Sequence, residues 1–140
     1  MAFKVFLDAN ILLDLTLKRE KFEQAKQIIT LAINGDIQAF VTPSVLHIVG
    51  HWLSKEYGNA RAKELLLTLL ADITVIDLPH EIAVNALHSK VSDIEDALQY
   101  YTAIHHKLDY FISRDKQLQK QGIPALAGYT PEDFLEEFDA

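Results

Sequence analysis

Residues 3–10 read FKVFLDAN, a short apolar run with one lysine that stops on Asp8, and residues 109–115 read DYFISRD and stop on Asp115. Runs of this length, rich in aromatic and β-branched residues, are strands when turn-forming residues bound them. The spacing predicts strands at 3–7, 38–41, 73–76, 109–112 and 124–127. Between them lie a short helix begun after Asn10 and helices near 21–34, 43–57, 60–70, 80–89, 93–107 and 115–120, with a closing TPEDFLEEF helix. Pro43 suits a helix first turn, and Gly58-Asn59 separates two helices. Every strand-to-strand crossing is long enough to carry a helix. The natural outcome is an α/β fold with a parallel sheet covered on both faces.

At 140 residues the chain reads as one domain, 1–140, with no linker, repeat or low-complexity stretch. A composition of 49% hydrophobic and 24% charged residues is that of a globular protein rather than a disordered one. No cysteine is present, which excludes disulfides, thiolate zinc sites and cysteine nucleophiles and suits a reducing cytoplasm. The N-terminus MAFKVFLDAN reads as no signal peptide, and no apolar run is long enough for a membrane helix. A net charge of −7 argues against a general nucleic-acid binder, unless acids cluster around cations and reverse the local field. Glycine-rich phosphate-binding motifs are absent.

In an open parallel sheet, ligands collect beyond the carboxyl ends of the strands, where Asp8 and Asp115 both fall. A lone aspartate there is ordinarily a turn or cap residue. The segment 92–101, SDIEDALQYY, adds two more acids. Ser92 and Glu95 have capping-box spacing, which makes Ser92 the expected N-cap and Asp93 the first helical residue. The apolar stripe runs Ile94, Ala97, Leu98, Tyr101, Ile104 and Leu108, with Asp93, Asp96 and Tyr100 along its border. Two carboxylates one turn apart repel unless a cation lies between them, and Mg²⁺ or Mn²⁺ chooses carboxylate oxygens. Asp8, Asp93, Asp96 and Asp115 are thus candidate ligands of a metal cage, whose chemistry would be phosphodiester hydrolysis.

VFLDANILLDL (5–15) and SDIEDALQYYTAIHHKLDYFISRD (92–115), with the helix-rich middle, resemble the PIN-domain family, nearest to the VapC-type toxins. The resemblance covers nearly the whole chain. It implies a three-layer α/β/α sandwich around a parallel sheet and a Mg²⁺- or Mn²⁺-dependent ribonuclease. It further implies an RNA substrate, a partner antitoxin and a homodimer. Position by position, Asp8, Asp96 and Asp115 match the family's acids and Asp93 an additional one. Asn10 matches the polar residue that orients the first acid, and Ser113 the hydroxyl neighbour of the last. One departure stands out in TPSVLHIVGHWL (42–53): Ile48 occupies the place of a glutamate. Its loss motivates a second reading, a catalytically weak module that binds RNA or protein. A phosphatase-like α/β fold is disfavoured because Asn10 stands where such a site wants a second aspartate.

Other residues have weaker readings. His47 and His51 have the spacing of a metal pair but read as partly buried, and His105 and His106 read as structural at a helix end. Lys18, Arg19, Lys21, Arg114 and Lys116 flank the candidate acids and suit either an RNA backbone or solvent. Tyr100 and Tyr101 suit base stacking, Tyr101 more readily the core. Trp52 reads as core or interface. Asp14 either faces the site or solubilises the first helix. The 10–33 helices suit a groove for an amphipathic partner helix.

Overall fold

Val5, Phe6 and Leu7 are all fully buried, which a strand permits only when both of its faces are covered. The computed structural model describes residues 2–114 and 126–139. In chain order the elements are β1 (Phe3–Leu7), α1 (Ala9–Thr16), α2 (Phe22–Ile33), β2 (Ile37–Val41), α3 (Pro43–Tyr57) and α4 (Asn59–Leu70). They continue with β3 (Ile73–Val75), α5 (His80–Leu87), α6 (Ile94–His105), β4 (Tyr110–Ile112), β5 (Ala127–Tyr129) and α7 (Pro131–Asp139). The expected helix at 115–120 lies outside the described residues, as do Asp115 and Lys116.

All five strands are parallel, in the order β3-β2-β1-β4-β5. Right-handed crossovers put the helices that follow β1 and β2 on one face and those that follow β3 on the other. The packing agrees: α1 contacts α2 and α3, α3 contacts α4, α2 contacts α7, and α5 and α6 contact each other. This is the expected three-layer α/β/α sandwich. Among the described residues no helix is long and apolar enough to cross a membrane.

Several starts and stops follow from local chemistry. Thr42 caps α3, its hydroxyl accepting the Val45 N–H at 3.3 Å, with Pro43 in the first turn. Gly58, at φ +85°, turns the chain from α3 into α4 in a conformation that side chains disfavour. The core centres on aromatic rings. Phe6 stacks on Phe111 at 4.8 Å, and Tyr100 meets Phe111 edge-on at 5.5 Å.

The start and face of α6 differ from expectation. Asp93, not Ser92, is the N-cap: its backbone is extended and its Oδ1 accepts the Asp96 N–H at 2.9 Å. The buried face is Ala97, Tyr100 and Ala103, while Ile94 is 67% exposed. The larger Leu98, Tyr101 and Ile104 are half-buried on its flanks. Tyr100 is therefore a core residue whose hydroxyl donates to the Leu126 carbonyl at 2.7 Å, and is no platform for a base. The last strand is described over Ala127–Tyr129, against an expected span of 124–127. Residues 124 and 125 lie outside the described residues. His47, His51 and Trp52 are exposed rather than buried, because Val45, Val49 and Leu53 supply the inward face of α3. His106 is structural as expected, its Nε2 lying 2.9 Å from the Asp77 carbonyl.

Phe6→Ala, which opens a cavity beside Phe111, is expected to cost about 3–5 kcal/mol. Urea denaturation checks this as a lower midpoint at an unchanged slope.

Candidate active site at the carboxyl ends of β1 and β4

The chain moves from β1 outward to β2 and β3, then returns across the sheet to lay β4 on the other side of β1. The reversal opens a crevice between the carboxyl ends of β1 and β4, where open α/β sheets bind ligands. Leu7 pairs with Ile112, so one further step along both strands brings Asp8 beside Ser113.

Asp8 is buried, and its carboxylate is held at both oxygens. Oδ1 accepts the Ala9 N–H at 2.7 Å at the start of α1, where the helix dipole favours negative charge. Oδ2 accepts the hydroxyl of Ser113, also buried, at 3.0 Å. Bonds of this kind, charge-assisted on the acceptor side, keep a carboxylate oriented when water cannot. The backbone repeats the link: the Asp8 N–H donates to Ile112 O at 3.1 Å and the Ser113 N–H to Tyr129 O at 2.9 Å. Asn10 is exposed on the first turn of α1.

The second acidic group lies at the start of α6, with Asp96 half-buried and Asp93 exposed and joined to it through the cap. A cleft of about 560 Å³ runs beside it, lined by Ser44, Ile48, Ser92, Asp93, Ile94, Glu95 and Leu98. Ile48, standing for the family's glutamate, is an apolar part of that lining. The structure thus joins Asp8 to Ser113, and Asp93 to Asp96. Among the described residues it brings no three acidic or histidine side chains close enough to hold a cation. Asp115, the remaining candidate, lies outside the described residues.

Asp14 does not solubilise α1. Its side chain is buried on α1, and Oδ1 accepts from Arg114 Nη1 at 3.0 Å. Its Oδ2 is buried with no hydrogen-bond partner among the described residues. Arg114 is thus committed to a carboxylate, and Lys21 likewise pairs with Glu132 at 3.0 Å. Sequence offered only a weak signal for the Asp14–Arg114 pair: an acid four residues after Asn10, facing a partner a hundred positions away.

A family model described as PIN domain matches residues 4–117, and the chain belongs to the PIN-domain family. Solved structures share the fold. A toxin–antitoxin complex from Klebsiella pneumoniae is 26% identical, with a TM-score of 0.66 over 91% of this chain and 97% of that one. VapBC2 from Rickettsia felis, bound to a promoter DNA fragment, is 14% identical with a TM-score of 0.68, covering 91% and 98%. VapC20 from Mycobacterium tuberculosis, a toxin that cleaves the sarcin–ricin loop, is 14% identical with a TM-score of 0.67, covering 86% and 97%. No curated protein matches the chain by sequence.

Burial raises the Asp14 carboxyl above its ordinary pKa of 3.8; Arg114, Arg19 and Lys21 oppose the rise and Glu132 adds to it. Because the folded carboxyl then holds its proton to higher pH than the unfolded one, ionisation disfavours the fold. The penalty is absent below 3.8 and grows as pH climbs toward the folded value. Asp14→Asn is expected to remove this decline. Urea midpoints of both proteins between about pH 3.5 and 7 check it, and parallel curves would contradict it.

Proposed function

We propose that this protein is a divalent-metal-dependent endoribonuclease, the toxin of a toxin–antitoxin pair, working in the cytoplasm. The observation that carries this reading is a buried carboxylate, Asp8, held at both oxygens at the switch point of a PIN-domain sheet. The likeness to toxin–antitoxin complexes, one at 26% identity, supports the partner.

The proposed donors are all carboxylates, with no thiolate or imidazole among them, which fits Mg²⁺ or Mn²⁺. Asp8, Asp96 and Asp115 would hold the ion, with Asp93 as a further ligand or as the residue that positions the attacking water. When bound, the ion supplies Lewis acidity to the phosphate and lowers the pKa of water. The chain's own part is orientation. Ser113 and the Ala9 N–H stop the Asp8 carboxylate from rotating, and the cap bond to Asp93 fixes the first turn of α6, where Asp96 stands. Asn10, exposed on the first turn of α1, is assigned to orient the site's polar groups from its rim.

RNA is the proposed substrate class, and a hairpin carrying the sarcin–ricin loop is the first to try, given what the Mycobacterium relative cleaves. An antitoxin helix has a place to dock in the cleft of about 420 Å³ lined by Leu15, Lys18, Tyr57, Arg61, Leu65 and Leu69, beside the end of α1. The family resemblance adds a homodimer to the proposal. Ile48 favours a second reading, a module that binds RNA or protein with little catalysis, since an isoleucine in the cleft cannot ligate a second ion.

Purified protein incubated with structured RNA is expected to cleave it with Mn²⁺ or Mg²⁺ and not with chelator. Asp96→Asn should abolish the cleavage, and Ser113→Ala should slow it by roughly 10–100-fold, as expected for a group that orients a ligand. Equal cleavage by wild type and Asp96→Asn would refute the site. Binding without cleavage by the folded protein would select the second reading.

A further inference from the structure

Ser113 and Arg114 are consecutive, yet they hold α1 at two separated points, Asp8 and Asp14. Six residues of helix put these points about 9 Å apart along the axis. The short serine reaches the first turn and the long arginine runs along the helix to the second. The end of β4 is thereby fastened to α1 at two positions, which fixes its direction as well as its place.

The chemistry at Asp14 is costly for a merely structural contact. The carboxylate is buried, while one oxygen meets Arg114 and the other has no hydrogen-bond partner among the described residues. Arg114 itself is 41% exposed, and the charge of a half-exposed pair adds little to stability, so the pair's distinctive contribution is directional. A guanidinium aimed at a fixed carboxylate permits a narrow range of backbone positions, whereas apolar contacts permit many.

We propose that Asp14 is a positioning residue: through Arg114 it fixes the turn after β4, and so holds Ser113 in register with the Asp8 carboxylate. It touches neither RNA nor metal. Its role for metal binding rests on the ribonuclease reading above; its role in ordering the strand end does not.

The test separates order at the site from stability of the whole. Two variants are made, the near-isosteric Asp14→Asn and the apolar double variant Asp14→Leu/Arg114→Met, with Asp8→Asn as the control for metal binding. Amide hydrogen exchange is measured on the metal-free proteins and Mn²⁺ affinity by calorimetry. The expected result is that the Asp8 and Ser113 amides exchange about tenfold faster in both variants, while the β2 amides and the thermal midpoint hold or rise. Mn²⁺ affinity is expected to fall by roughly 10-fold or more, the scale of losing a group that orients a ligand. Wild-type exchange at Asp8 and Ser113 would overturn the proposal, as would acceleration spread evenly over the sheet. If wild type binds no Mn²⁺, or Asp8→Asn binds it equally well, the metal reading fails and the exchange data still decide the clamp. If Mn²⁺ binds through Asp8 and both variants match wild type in affinity and exchange, the clamp alone fails.

Discussion

The bond from the Ser113 hydroxyl to Asp8 Oδ2 joins positions 105 residues apart, and the candidate site is organised around it. A carboxylate buried at the end of a strand needs donors, since water does not reach it. One donor is local, the N–H that opens α1; another comes from the strand paired beside it. The bond therefore requires β4 to lie next to β1, which in turn requires the crossover through α5 and α6 that reverses the order of the sheet. Sheet order, helix cap and carboxylate orientation are three consequences of one arrangement.

The same arrangement governs the core. Pairing β1 with β4 in register stacks Phe6 on Phe111 and brings Tyr100 against the latter's edge. The tyrosine's hydroxyl then needs a partner in the interior and finds the Leu126 carbonyl at the entrance to β5. An aromatic cluster thus ties four pieces of the fold, β1, α6, β4 and the start of β5, together beneath the crevice. The acids stand above it, which suits a site whose groups must hold their positions when like charges face one another.

Strand β1 was legible to the residue, because five apolar-rich positions followed by Asp-Ala-Asn leave little choice of element. The parallel sheet was legible from crossover length, and Asp8 from its place after a strand, while the strand order was not read from the sequence. Helix α6 was misread by one step at its cap because serine and aspartate cap equally well, so the spacing to Glu95 outweighed the bond that Asp93 makes to the turn. Its buried face was misread because side-chain size was taken as the guide: Ile94 looks like core and is exposed, whereas the small Ala97 and Ala103 are buried with Tyr100. The exposed His47, His51 and Trp52 show the same limit, since three neighbouring valines and leucines had already filled the inward face of α3. The Asp14–Arg114 pair was out of reach for a different reason. Its two members carry ordinary local readings, and only the folded chain shows that one is buried and aimed at the other.

The separation of 105 residues has a consequence for the order of events at synthesis. Strands β1, β2 and β3 appear in sequence as the chain is made, and each can pair with one already present. Asp8, among the first residues to emerge, has no cross-strand donor until the ribosome has released the chain past Ser113. Contacts of such long range are the slow ones to form, and domains complete them as a unit. The crevice is therefore assembled after the β1–β2–β3 part of the sheet has been made, and a chain truncated or stalled before β4 lacks it altogether. Whatever chemistry the carboxylates perform, the topology withholds it until most of the polypeptide has been made and folded.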